Sequence, residues 1–449
     1  MRIRDAFGAK AIAIYNKETA SNAIPYLGAG LFPPRKKMGL DLKWIKTSKG
    51  LPVSLSPSAF DAKSTLRSRE GFKMDETEMA FFRESMIVSE KDEQEIMRVQ
   101  DANDPYAAEI IRRIYDDANT LVAGANVVPE RMIWQLLAPV SGTPQISIQA
   151  NGATYAYNYD PAGTFASTNF ANILGFSMWD QLETADPLED VRQAQEAIEL
   201  ATGVKPEIMV VSAKTMGWLR RNKNIRSAIL AQNVTANVFM NDARVKEAFL
   251  NELGVQIVVY SKKYKDEAGV AANFYPDNMV TLLPRGELGN MWYGTTPEER
   301  TLMGTPTADV SVTNTGVAIA VSTTEDPVNT KTTVSEICLP SFERMDEVYV
   351  MKVHTDDTAT FTGVVAAGAA AGAKITITGS AGTGNAFYVK LNAGNQPYGS
   401  ILDESWATYT SGSDIAAAKV GDNATVVVAN STSKQVLGSK QFYIDAIKA

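Results

Sequence analysis

The chain is poor in the residues that build reactive sites. Among 449 residues it has one cysteine, Cys338, and one histidine, His354. A disulfide within the chain is therefore excluded, and nothing calls for an oxidising compartment. A Cys/His zinc centre needs about four such ligands and is also excluded. A Ser-His-Asp triad could use only His354, and a Cys-His pair only Cys338 with His354. No apolar run approaches the ~20 residues of a membrane span. The start, Met1-Arg2-Ile3-Arg4-Asp5-Ala6-Phe7, is charged but has no apolar stretch after it, so neither a signal peptide nor a membrane partner is expected. A basic excess is missing too: 43 Lys+Arg stand against 51 Asp+Glu, a net charge of −8. That balance counts against a general nucleic-acid or anionic-membrane binder. There is no Walker A loop and no G-x-G-x-x-G, and Gly379, Gly382 and Gly384 precede no convincing helix.

The remaining motifs have plain readings. Ser431-Thr432-Ser433-Lys434 matches S-x-x-K, but the companion S-D-N and K-T-G motifs are absent, and a surface turn is expected. Asp116 and Asp117 are adjacent, and neighbouring helix positions do not face each other, so they read as a solvated face. Cys338 sits in the apolar run Ile337-Cys338-Leu339 and reads as a small core residue. His354 reads as a surface or packed residue at a junction. No catalytic, metal-binding or cofactor-binding set emerges, which favours a structural or binding role over an enzyme.

What is present is an ordinary globular balance, 45% apolar and 21% charged, over a length suited to two or three domains. Its most distinctive feature is a reversal of charge. Residues 35–73 carry a net +7, and residues 74–117 a net −8. Two solvated faces would explain this. So would a basic loop lying on an acidic surface, its own or a neighbour's.

Residues 1–34 read as an extended arm, ended by Pro33-Pro34. Over 104–123, Ala107, Ile110, Ile111, Ile114, Ala118, Leu121 and Val122 form one helical stripe. Asp104 is its expected N-cap and Pro105 its first residue, and Pro129 is expected to kink or restart it. Residues 143–180 read as strands and loops. Residues 186–283 show an α/β pattern. Asp186, Ser212 and Asp242 precede helices, Gly203 and Gly254 end them, and 208–211, 255–260 and 279–283 read as strands. Strands are expected over 310–321 and 333–353, with a linker at Asp326-Pro327-Val328-Asn329. No Arg follows Arg344 and no Met follows Met351. The Gly/Ala/Ser/Thr-rich remainder reads as a small β-sandwich or barrel.

The order of parts resembles the major capsid proteins of tailed bacteriophages, specifically the lambda-like major capsid protein E group. Phe32-Pro33-Pro34-Arg35-Lys36-Lys37, Leu40-Asp41-Leu42-Lys43-Trp44-Ile45 and Gly71-Phe72-Lys73-Met74 carry the first part of the resemblance. Lys205-Pro206-Glu207-Ile208-Met209-Val210-Val211, Leu219, Asn222-Lys223-Asn224-Ile225-Arg226, Gly254 to Tyr260 and Tyr275 to Val280 carry the second. The resemblance spans about residues 20–350. It implies an α+β tailed-phage capsid fold: an arm (1–35), an extended loop (36–75), a peripheral domain with a long spine helix (76–185), an axial α/β domain (186–305) and return strands (306–354). A C-terminal β-sandwich-like domain (355–449) lies outside it.

The resemblance further implies a virion shell of pentamers and hexamers around double-stranded DNA, bound without sequence specificity and assembled in the host cytoplasm. Its expected partners are further copies of the chain, scaffolding and portal proteins, with decoration proteins left open. In such shells the extended loop lies across a neighbour. The residues expected to meet there are Lys36, Lys37, Lys43, Lys46 and Lys49 on one side, and Glu90, Asp92, Glu93 and Glu95 on the other. The alternatives are a nanocompartment shell enclosing a cargo enzyme, an adhesin and a carboxylate-only enzyme.

Overall fold

The computed structural model describes residues 9–10, 12–13, 26–45, 74–91, 94, 106–150, 153–230, 240–302, 308–325 and 328–448. Its organising element is the 15-residue strand Val328–Phe342. On one side its first half pairs with Val317–Glu325 and its second half with Gly289–Tyr293; on the other it pairs with Ala80–Val88. Ala308–Thr313 and the arm segment Pro34–Lys36 complete a six-stranded sheet. The expected linker at 326–329 is corrected here. Val328 and Asn329 are already strand, opposite Glu325 and Thr324, and Asp326 and Pro327 lie outside the described residues.

The helix Tyr106–Leu137 packs on this sheet as one 32-residue element. Asp104 and Pro105 lie outside the described residues. The helix runs on through Pro129 to Leu137 without restarting. Proline inside a helix costs about 3 kcal/mol. Beyond it Met132, Ile133, Trp134, Leu136 and Leu137 are all fully buried, and burying such side chains is worth about 1.5–3 kcal/mol each, which outweighs that cost.

A second sheet orders Phe170–Asn172, Tyr349–Lys352, Met279–Leu283, Ile208–Val211 and Gln256–Val259. The pair Ile208–Val211 and Gln256–Val259 is parallel, and the helices Ala213–Arg221, Lys223–Leu230 and Asp242–Leu253 form the crossover between them. Met279 and Leu283 face the core beneath the long helix, whereas Val280 and Leu282 face a core closed by these helices. Thr281 shares the first face. Its hydroxyl donates to the Leu137 carbonyl at 2.8 Å, satisfying one of the last carbonyls of the long helix. Asp186, Ser212, Gly203 and Gly254 cap helices as expected. For Asp242–Leu253 the cap is Asn241, whose side chain accepts from the Arg244 N–H; Asp242 is the first helical residue. This sheet draws strands from both sides of the span 186–305, and Gly289–Tyr293 from within that span joins the other sheet.

After Val353 the chain forms seven strands in two sheets. Three strands (Thr362–Ala367, Ala373–Thr378, Asp414–Ile415) cover one face of four (Ala407–Tyr409, Asn385–Leu391, Asn423–Asn430, Val436–Tyr443). Phe361, Ile375, Val426, Val428 and Phe442 fill the space between them. Val427 and Ala429, on the opposite face, pack with Leu402 and Trp406 from a loop. The Ala-rich turn at 369–371 is held by Asp414, whose carboxylate accepts from three successive N–H groups. Ser431–Lys434 is the expected turn: Asn430 Oδ1 accepts from the Thr432 and Ser433 N–H groups, and the Lys434 ammonium donates to the Tyr388 hydroxyl. Cys338 is buried, as expected. Among the described residues no helix is long and apolar enough to cross a membrane.

Candidate functional site

The arm is fastened to the body by a buried carboxylate. Glu130, 2% exposed, lies on the long helix. It accepts from the Gly28 N–H at 3.0 and 3.2 Å, from Trp134 Nε1 at 2.6 Å and from the Tyr260 hydroxyl at 2.6 Å. Bonds to an ionised acceptor are about twice as strong as neutral ones, and a carboxylate with several donors tolerates burial. A Cβ at Gly28 would stand 2.4 Å from Glu130 Oε2, so this close approach needs glycine. Lys262 Nζ lies 3.6 Å from the Tyr26 ring centre, and Phe32 is buried against Phe342. Burial, opposed by Glu130, holds the Lys262 amine below its ordinary range. Neither Glu130 nor this anchorage was legible in the sequence. The one available signal is an acid heading the apolar run Met132-Ile133-Trp134, and its partners come from positions 28 and 260.

From Pro34 the arm runs parallel to Met291–Tyr293. Arg35 Nε donates to Asn290 Oδ1 at 2.5 Å, and Lys36 Nζ meets Glu299 at 2.6 Å. Lys37 Nζ donates to the Asp41 carbonyl at 2.8 Å. The chain then turns at Gly39, with φ +91°, into a two-stranded ribbon of Asp41–Ile45 and Met74–Glu78. The ribbon is the stem of the expected loop, and its register sets Lys43 opposite Glu76. The backbones of the two charge blocks therefore run side by side in this stem. Met38, 90% exposed, and Leu40 present apolar surface at its root.

Of the residues singled out for contact, Lys46, Lys49, Asp92, Glu93 and Glu95 lie outside the described residues. Lys36 and Lys37 are engaged as above, Lys43 is exposed, and the Glu90 N–H donates to Asn329 Oδ1 at 3.2 Å. Lys36 and Glu90 are not brought together. Lys36 is level with Tyr293, which pairs with Cys338, whereas Glu90 follows Val88, which pairs with Thr330. At 3.2–3.4 Å per residue the two ends of that stretch are roughly 26 Å apart. Glu298, near Lys36, was not foreseen. It is buried, accepts from the Ser335 hydroxyl at 2.7 Å and pairs with Arg83 at 3.1 Å, tying Ala80–Val88 to the turn Glu298–Leu302.

A third feature lies where the body meets the C-terminal sheets. A cleft of about 320 Å³ is lined by Asp180, His354, Asp356, Gln396, Tyr398 and Ser439, among others. His354 is packed, as one of its two expected readings had it, with its side chain 14% exposed. Nδ1 lies 3.2 Å from Asp180 and Nε2 3.0 Å from Asp356, and the ring is 5.3 Å from that of Trp218. The Asp180 carboxylate first, helped by Asp356 and opposed by burial, holds the imidazole above its ordinary range. Beside it the Gly175 N–H donates to the Tyr398 carbonyl at 2.8 Å. A Cβ at Gly399 would stand 2.7 Å from Leu174 Cβ, so backbone meets side chain closely across this junction.

A family model described as phage major capsid protein E matches residues 13–353, ending one residue before His354. No curated protein matches. Among solved structures, a phage-related protein from Bordetella bronchiseptica is 15% identical with a TM-score of 0.44, over 77% of this chain and 97% of that one. The putative capsid protein of an E. coli CFT073 prophage is 14% identical with a TM-score of 0.45, over 77% and 99%. The capsid protein of cyanophage P-SCSP1u is 11% identical with a TM-score of 0.39, over 75% and 90%.

Proposed function

This chain belongs to the phage major capsid protein E family, and from that premise we propose that it assembles as pentamers and hexamers into an icosahedral shell that encloses double-stranded DNA. The family match over residues 13–353 is the observation that carries this reading. The domain division is part of it: arm 1–35, extended loop 36–75, peripheral domain 76–185 with return strands 306–354, axial domain 186–305, and a C-terminal domain 355–449 exposed on the outside. Copies assemble in the host cytoplasm with scaffolding and portal proteins.

The loop stem supports contact between copies. It leaves the body at Gly39 beside exposed Met38 and Leu40, which a neighbour would cover. Lys36 and Glu90, one from each charge block, lie at opposite ends of one sheet. Lys36, Lys37, Lys43, Lys46 and Lys49 would thus meet Glu90, Asp92, Glu93 and Glu95 of another copy. Complementary fields of this kind fix register and steer association more than they add affinity. The cargo-enclosing nanocompartment is disfavoured by the same family match.

Electron microscopy of the expressed chain across a salt series tests the proposal. Closed shells, tubes or capsomer rings that weaken as salt rises are expected. Reversing either charge block should abolish assembly, and reversing both should restore it. A chain that stays monomeric even with its scaffolding protein would overturn the shell reading. Assembly indifferent to salt and to both reversals would remove the charge pairing alone.

A further inference from the structure

We propose that His354 is a proton-controlled clamp between the capsid body and the C-terminal β domain, closed when the imidazole carries two protons and slack when it carries one. The argument begins with the ring's two neighbours. Both nitrogens lie within ion-pair distance of carboxylate oxygens: Nε2 is hydrogen-bonded to Asp356 on the connecting segment at 3.0 Å, and Nδ1 lies 3.2 Å from Asp180 on the body without the alignment of a hydrogen bond. A neutral imidazole has one N–H and one lone pair. It can donate to one of these carboxylates only by turning the lone pair toward the other. The imidazolium alone suits both.

The surroundings favour that form. From the connecting segment come Asp356 and Asp357, and from the loop after Met178 comes Asp180. Helix Ala213–Arg221 contributes Trp218 and one cation, Lys214, whose ammonium lies 5.2 Å from the Trp218 ring centre. The C-terminal domain contributes Asn395, Gln396, Tyr398 and Ser439. Three carboxylates thus face one lysine, and the Trp218 face adds a site that attracts cations.

Loss of the proton frees Asp356, which is 80% exposed and readily hydrated, and leaves Asp180 and Asp357 unscreened. The contact then rests on the Gly175–Tyr398 bond, the packing of Gly399 on Leu174 and the Ser439 N–H bond to Asp357 at 3.3 Å. The clamp sits one residue past the family match, where the C-terminal β domain joins the body.

Because the chain has a single histidine, its titration can be read without assignment. Exchange of the imidazole C2 hydrogen, followed by mass spectrometry on the full-length protein, gives the midpoint. Backbone amide exchange over 172–180 and 354–359, corrected for the intrinsic rate, gives the state of the clamp. We expect a midpoint above the ordinary ~6.5. Protection should fall across it, by up to roughly tenfold for each pH unit of that displacement. Asp356→Asn, at an exposed position, should lower the midpoint and keep the fold. His354→Gln should show the low protection at every pH. Should His354→Gln not fold, Asp180→Asn provides the second arm, with a larger fall in midpoint than Asp356→Asn. Corrected protection that is equal on both sides of the midpoint overturns the proposal. So does a midpoint unmoved by both aspartate variants.

Discussion

Two buried glutamates show how little a single letter says about its own role. Glu130 and Glu336 are both almost wholly buried. Glu130 is surrounded by donors from positions 28, 134 and 260. Glu336 has no partner on either oxygen, and burial pushes its pKa well above the carboxylate range. No local pattern separates the two, because their partners come from elsewhere in the fold. A raised native pKa stabilises the fold fully only below the ordinary value of 4.5, and this contribution is lost as pH rises through the native value. Glu336→Gln keeps the shape and removes the proton. Its urea midpoint should exceed that of the parent at pH 8, with the gap closing toward pH 4. An equal gap at both pH values would show that the proton has no part in it. His354 obeys the same rule: the sequence left it as a surface or packed residue and did not show that Asp180 comes beside it.

Helix ends were legible because capping acts within about four residues. Asp186 and Ser212 accept from N–H groups three residues on, and Gly203 and Gly254 adopt positive φ. At the helix Asp242–Leu253 the sequence pointed to Asp242, and the structure gives the cap to its neighbour Asn241. Asn241→Ala should therefore cost about 1 kcal/mol of stability. Asp242→Ala should cost less than about 0.5 kcal/mol, because its bond to Arg220 at 3.3 Å is a surface pair. Thermal unfolding of the two variants measures the difference, and equal losses would remove the assignment. Elements whose limits are set by distant partners were less legible. Pro129 breaks a helix locally, yet the buried turns after it hold this one together. Asp326-Pro327-Val328-Asn329 has the composition of a linker, but the ladder between Val317–Glu325 and Val328–Phe342 already takes in Val328 and Asn329.

The whole molecule divides at Val353, where the family match and the body both end. The change in composition after Met351 made this division legible, since a β unit with its own core needs little from the body. Deleting residues 356–449 should leave shells that form normally, seen by microscopy and sedimentation; failure to form any would make the domain part of the lattice. What composition could not convey is the part played by the strand Val328–Phe342. The loop ribbon continues through the single residue Met79 into Ala80–Val88, which lies along that strand over nine register pairs, Ala80–Cys338 to Val88–Thr330. A neighbour tugging lengthwise on the loop would load all nine together, in shear, where a sideways pull would open them one after another. Strain entering through the loop would then spread along the ladder into the middle of the sheet, and the subunit would resist a lengthwise pull better than a sideways one.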